Sequence, residues 1–209
     1  ILKNRPSDVE ALMASKYADS DMTVEAKMKD MIFTIGENMS IRRFEIVEGI
    51  LSSYIHGKGS IGVIVTFDAD ENAKQNPGFA EFSKNIALQV AALPVQYLNK
   101  EAVPASVLED EKQILMTQIK NDPSNSKKPE QIIEKMVNGR IGKFYEQNCL
   151  MEQGYVKDDS LKVGQYVENT AKEFGGNIKV TGFIRYEKGE GLQKREENFG
   201  EEIAKMIQK

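Results

Sequence analysis

The stretch Asn121-Asp122-Pro123-Ser124-Asn125-Ser126-Lys127-Lys128 constrains this chain more than any other. Asn, Asp and Ser side chains bond to nearby backbone and proline fixes φ, so regular structure stops here. On both sides of the joint the pattern is helical. Leu108, Leu115 and Ile119 recur at helical spacing before it, and Ile133, Val137, Arg140 and Phe144 step by four, three and four after it, beginning behind Pro129. Two helices joined by so short a turn must run antiparallel, with their apolar stripes facing. About two heptads per helix and a sparse seam predict a projecting helical hairpin over residues 104–147, not a domain with its own full core. Its charged outer faces, Lys127 and Lys128 included, read as solvated surface. The main core must therefore come from the rest of the chain.

That remainder alternates helical and strand patterns. Residues 8–15 read as a short helix, and Asp21 or Thr23 is placed to cap the next one. There Val24, Met28, Met31, Ile32 and Ile35 predict a core-facing stripe, with the methionines as core filling. Gly36 stops that helix, and the alternation from Met39 to Val47 predicts a strand. Ser52 and Ser53 are expected to turn the chain so that Tyr54, Ile55 and His56 reach a sheet edge. Ile61, Val63, Ile64, Val65 and Phe67 predict a second strand. A polar loop over 68–78 precedes a helix over 79–93, ended by Pro94. Further on, a helix is expected over 160–174, a strand over 178–186, and a last helix burying Phe199, Ile203, Met206 and Ile207. The fold class is α+β: small antiparallel sheets packed with helices, plus the antiparallel helical hairpin, or coiled coil.

Composition narrows the function classes. With 32 acidic and 28 basic residues the net charge is −4, which gives no electrostatic footprint for nucleic acid. The lone Cys149 excludes an intrachain disulfide and a thiolate zinc cluster, and reads as a buried or half-buried thiol in a reducing compartment. No apolar run approaches the ~20 residues that span a bilayer, so no membrane association is expected. The start, Ile1-Leu2-Lys3-Asn4, is no signal peptide, and the absent initiator methionine suggests a fragment or a processed chain.

Sequence motifs for cofactors fail one by one. Gly57-Lys58-Gly59-Ser60-Ile61-Gly62 fits G-x-G-x-x-G, but a strand follows where a dinucleotide site needs a helix N-terminus. No phosphate-binding P-loop occurs. Asp68, Asp70 and Asn72 begin like a calcium loop, yet Ala73 and Phe79 stand where its glycine and bidentate glutamate belong. His56, the sole histidine, lacks a second imidazole for a metal and any visible nucleophile. No cofactor, metal or catalytic residue is expected. From local sequence, His56 reads as a surface or hydrogen-bonded structural residue. Two other readings remain open: an RNA-binding or ribosome-associated α+β module using Lys127, Lys128, Arg140 and Lys143, and a small enzyme with His56 as general base.

Longer motifs carry a resemblance. Glu37-Asn38-Met39-Ser40-Ile41-Arg42-Arg43, then Tyr54-Ile55-His56-Gly57 and Ile61-Gly62-Val63, are similar to the core of bacterial elongation factor Ts. The stretch from Pro129 through Lys135-Met136-Val137-Asn138-Gly139 to Arg140, then Val163-Gly164-Gln165, and the run from Val180 through Gly182-Phe183-Ile184-Arg185-Tyr186 to Gly191 extend it in order across nearly the whole chain. The resemblance implies a non-enzymatic guanine nucleotide exchange factor of translation elongation. Its partner would be the GTPase elongation factor Tu, without direct nucleotide binding, in the bacterial cytoplasm or an organellar matrix. It assigns His56, Gly57 and Tyr54 to partner contact, because the family's histidine in Tyr-x-His-Gly touches the GTPase domain. It also implies an organisation: 1–49 as the remainder of a first core subdomain, 50–100 with 148–189 as a second, 101–147 as a coiled-coil protrusion inserted in it, and 190–209 as a C-terminal helical module. The family's amino-terminal module and Thr-Asp-Phe-Val motif have no counterpart here, so partner binding without full exchange activity is the expectation.

Overall fold

The computed structural model describes residues 1–125 and 128–192. The chain divides into two compact units, Ile1–Gly49 and Ile50–Lys209.

The first unit holds two helices. In α1 (Val9–Ala14) the Asp8 carboxylate accepts from the Ala11 N–H at 2.7 Å, and in α2 (Val24–Ile35) the Thr23 hydroxyl accepts from Ala26 at 3.1 Å. Thr23, not Asp21, is the cap. Gly36 closes α2 at φ 79°, in the left-handed region where a Cβ would clash. The stripe on α2 corrects an expectation, because none of its residues is buried and Met31 and Ile35 are 41% and 53% exposed. A second correction concerns the segment from Met39 to Val47, which forms no strand. Apolar alternation favours extended backbone, but a strand also needs a ladder partner, and none pairs with this segment among the described residues. Met39 and Ile41 instead line a recess of about 300 Å³ with Tyr17, Val24, Met28 and Met31.

In the second unit, β1 (Ile50–His56), β2 (Ile61–Ala69) and β5 (Ile178–Glu187) form an antiparallel sheet in the order β1-β2-β5. The β-branched content of β2 suits its central place, where both edges are paired. Its inward residues Val63, Val65 and Phe67 pack with Val180 of β5, with Phe82, Ile86 and Val90 of α4 (Phe79–Ala92), and with Val163 and Val167 of α7 (Val163–Glu173). Phe67, Phe79, Phe82, Tyr166 and Phe174 join this core through ring contacts of 5.5–6.5 Å. Full burial of a side chain such as Ile86 contributes roughly 2–3 kcal/mol.

Three local readings change. Ser52 and Ser53 lie inside β1, opposite Val65 and Ile64, and the turn falls later, at Gly57–Gly59. The polar loop contains a short helix, α3 (Glu71–Gln75), capped by Asp70. Residues expected to open the helix at Ser160 instead form β4 (Asp158–Lys162), paired with β3 (Gly154–Tyr155), and the helix starts at Val163.

The hairpin consists of α5 (Ala105–Asn121) and α6 (Glu130–Asn148). Its seam is Leu115, Ile119, Ile133, Val137 and Ile141, separate from the sheet core. Along α6 the stripe therefore steps by four and four to Ile141, while Arg140 is exposed and Phe144 half-buried. The expected last helix, with Phe199, Ile203, Met206 and Ile207, lies outside the described residues.

At the hairpin root the backbone closes on itself. Gln96 and Tyr97 both donate to the Asn148 carbonyl at 3.0 Å, and Leu150 donates to Tyr97 at 2.9 Å. Beneath it lie two buried glutamines. Gln89 donates to Gln153 Oε1 at 3.2 Å and to the Gly154 carbonyl at 3.1 Å, and accepts from the Val156 N–H at 2.8 Å. Gln153 donates to the carbonyls of Pro94 and Gln147 at 2.9 and 3.2 Å. Two amides thus tie α4, the hairpin and β3 together, with every polar atom satisfied.

Candidate partner-contact edge

Edge strand β1 alternates half-buried and exposed residues, as a strand with one face on a core must. Tyr54 sits on the core side and packs against it, whereas Ile55 points the other way and is 73% exposed. His56 closes the strand opposite Ile61, whose neighbour in β5 is Glu187. Residues two apart share a face of a strand, which brings the Tyr54 hydroxyl to 3.2 Å from His56 Nδ1, with ring centroids 6.0 Å apart. With the hydroxyl donating to Nδ1, a neutral imidazole carries its proton on Nε2 and offers it outward.

The turn that follows is held at the strand end by several hydrogen bonds. Gly57, Lys58 and Gly59 all have positive φ, at 57°, 56° and 94°. The Ser60 N–H donates to the Gly57 carbonyl at 3.2 Å, the Ser60 hydroxyl donates to the His56 carbonyl at 3.2 Å, and the Lys188 N–H donates to the Ser60 carbonyl at 2.8 Å. A Cβ on Gly57 would lie 2.2 Å from Ser60 Oγ and displace that hydroxyl from the His56 carbonyl, while the φ of 57° is what favours glycine there. Lys58 has no such excuse, and its left-handed backbone costs roughly 1–2 kcal/mol.

Tyr54, His56 and Gly57 are thus brought together at one exposed edge. Among the described residues, His56 has no carboxylate or nucleophile within hydrogen-bonding reach, so the general-base geometry is not assembled there. Cys149 is fully buried at the hairpin root, its backbone bridged to that of Tyr97, and burial raises its pKa, which disfavours the thiolate. Strand β2 follows the glycine turn directly, leaving no helix N-terminus for a pyrophosphate. Asp70 is committed elsewhere: it accepts from the Ala73 N–H at 3.0 Å and the Asn177 N–H at 2.7 Å, bonds that hold its carboxyl below the usual range. No cluster of metal-ligating side chains occurs among the described residues. Arg185 of β5 is occupied as well, by Glu187 at 2.7 Å and the Val90 carbonyl at 3.2 Å. Sequence reasoning missed Lys58 as a residue of this edge. Its position between two glycines was the available signal.

A family model described as "Elongation factor TS" matches residues 1–190. The chain belongs to the elongation factor Ts family. Among its relatives, elongation factor Ts of Clostridium kluyveri (strain ATCC 8527) is 43% identical over 204 residues, covering 96% of this chain and 64% of the relative. Elongation factor Ts of Clostridium botulinum (strain 657 / Type Ba4) is 42% identical over 205 residues with the same coverage, and that of the Kyoto / Type A2 strain is 41% identical. The chain therefore spans about two thirds, 64%, of the length of the elongation factor Ts proteins it matches. Among the described residues, no helix of this family member is long and apolar enough to cross a membrane.

Proposed function

We propose that this chain, as part of a guanine nucleotide exchange factor of translation elongation, binds elongation factor Tu through the edge formed by Tyr54, His56 and Gly57, without full exchange activity of its own. The observation that carries the reading is the match of the elongation factor Ts family over residues 1–190, in a chain whose sole histidine is exposed and oriented by Tyr54. Residues 1–49 are then the remainder of a first core subdomain, 50–100 with 148–189 a second one, 101–147 its coiled-coil protrusion and 190–209 a C-terminal module. The bacterial cytoplasm is the compartment proposed, after relatives that are bacterial.

The mechanism is binding linkage and needs no bond-making. A factor that prefers the nucleotide-free GTPase weakens GDP by the same ratio by which GDP weakens the factor, so each ten-fold of acceleration by destabilisation requires about 1.4 kcal/mol of preference. In the tautomer whose Nδ1 accepts from the Tyr54 hydroxyl, His56 presents Nε2–H as a donor, and the Tyr54 contact lowers the ordering cost of the interface.

Stopped-flow release of a fluorescent GDP analogue from elongation factor Tu, with the chain titrated in and binding followed in parallel, tests the reading. Binding is expected, weakened about three- to ten-fold by His56→Ala, the range for one exposed hydrogen bond. Unchanged binding of that variant would remove His56 from the interface. No binding by the unaltered chain would overturn the reading.

A further inference from the structure

Lys58 is unexplained by the fold. It is exposed, it adopts φ 56° and ψ 35° between two glycines, and it forms no hydrogen bond or ion pair with a described residue. Lys74, Lys100 and Lys162 of the same unit pair with Glu71, Glu152 and Glu146. Among the described residues Lys84, Lys135 and Lys172 are as unpaired as Lys58, so what sets Lys58 apart is its backbone and its place beside His56. Glycine, asparagine or aspartate would occupy this backbone region with less strain. Arg5 and Ala18 also have positive φ, but only Lys58 adopts it beside the exposed histidine, and such strain clusters at functional sites. The turn is also held in place, by the Ser60 bonds and by Lys188 from β5, so the ammonium leaves the edge from a defined point two residues beyond the imidazole.

We propose that Lys58 is a second contact residue of this edge, pairing with a carboxylate on the partner protein beside the His56 contact. The proposal rests on the reading of the edge as the partner-binding surface. The edge then presents three features in sequence: the apolar Ile55 side chain, an imidazole N–H and an ammonium group. Their complement is an acidic residue bordered by an apolar spot. The chain as a whole is acidic, with a net charge of −4, so a polyanion is repelled while one local cation selects one local carboxylate.

Binding of the unaltered chain, Lys58→Ala, Lys58→Glu, Lys58→Gly and His56→Ala to nucleotide-free elongation factor Tu is measured at low and high salt, with a thermal melt of each. Lys58→Ala should weaken binding about three-fold and Lys58→Glu about ten-fold, both effects shrinking at high salt. Lys58→Gly should weaken binding as Lys58→Ala does while Tm stays equal or rises, because glycine relieves the left-handed strain. Affinity and stability then move apart, which a structural role for the lysine would not produce. If Lys58→Glu binds as the unaltered chain does while His56→Ala is weakened, the lysine contact is overturned and the edge stands. If Lys58→Gly lowers Tm and affinity together, the lysine supports the turn and the contact is again overturned. If neither position matters, or the unaltered chain does not bind, the reading of the edge falls with it.

Discussion

Gln89→Glu replaces one atom type at a fully buried position and leaves the volume unchanged, so its effect reports the amide network alone. The wild-type amide donates twice, to Gln153 Oε1 at 3.2 Å and the Gly154 carbonyl at 3.1 Å. A protonated carboxyl can donate only once, so near pH 4 the variant should lose about 1 kcal/mol, the net worth of one hydrogen bond. At higher pH a further loss sets in. Burial, with two acceptor oxygens facing it, must hold the new carboxyl's folded-state pKa above its unfolded value near 4.3. The folded state then retains a proton that the unfolded state has released, so stability falls as pH rises, by about 1.4 kcal/mol per unit until the folded pKa is passed. By pH 7 the total should reach about 3–5 kcal/mol. The chain has no tryptophan, so urea unfolding is followed by far-UV circular dichroism, and the variant is compared with wild type at each pH. A difference that stays constant between pH 4 and 7, or a loss under about 0.5 kcal/mol at pH 7, would refute the reasoning and mean that water reaches Gln89.

Ile119 is fully buried in the hairpin seam, and Ile119→Ala should cost about 3 kcal/mol there. Hydrogen exchange should show α5 and α6 losing protection while β2 keeps its own. Gly57→Ala meets both the φ of 57° and the Ser60 hydroxyl, and should lose about 1–2 kcal/mol, with Ser60→Ala in the same chain recovering the contact share in a thermal melt. Asp70 has a carboxyl lowered from its ordinary 3.8 by backbone bonds from Ala73 and Asn177, so the stability it contributes is present above that value and is lost as pH falls through its folded pKa. Asp70→Ala should therefore melt below wild type at neutral pH, and the gap should begin to narrow as the pH drops beneath about 4 and close only below the lowered folded-state pKa.

Much of the architecture was legible because it depends on local pattern. The helical hairpin, α4, β2 and β5 all carry apolar periodicity bounded by proline or glycine, and these signals need no knowledge of neighbours. What failed depends on neighbours. The stretch from Met39 to Val47 alternates well but finds no ladder, and the α2 stripe stays half-buried at Val24, Met28 and Ile32 and exposed at Met31 and Ile35. Strands β3 and β4 are too short and polar to announce themselves, since Tyr155 is the only residue of the pair that is buried. On α6, Ile141 and Arg140 are adjacent in sequence, and the phase of a sparse stripe is decided by which of them the facing helix meets. Gln89 and Gln153 look like solvent-facing residues in any one-dimensional pattern. Their burial is legible only once Pro94, Gln147, Gly154 and Val156 converge on them. At the edge, Tyr54, His56 and Gly57 are proposed from motif resemblance, and Lys58 is proposed from its backbone conformation.

The hydrogen bonds among Gln96, Tyr97, Asn148 and Leu150 bring the chain's entry to the hairpin beside its exit. For chain connectivity this makes the hairpin a removable part. A short linker could replace the arm beyond its root without dragging any element of the sheet core, provided that Gln147 and Asn148, which bond Gln153, Gln96 and Tyr97, are kept, because the two hydrophobic clusters share no residue. The same doorway would accept an arm of another length, so the reach of this protein can change by insertion or deletion in whole helical turns, leaving the body that carries the edge untouched.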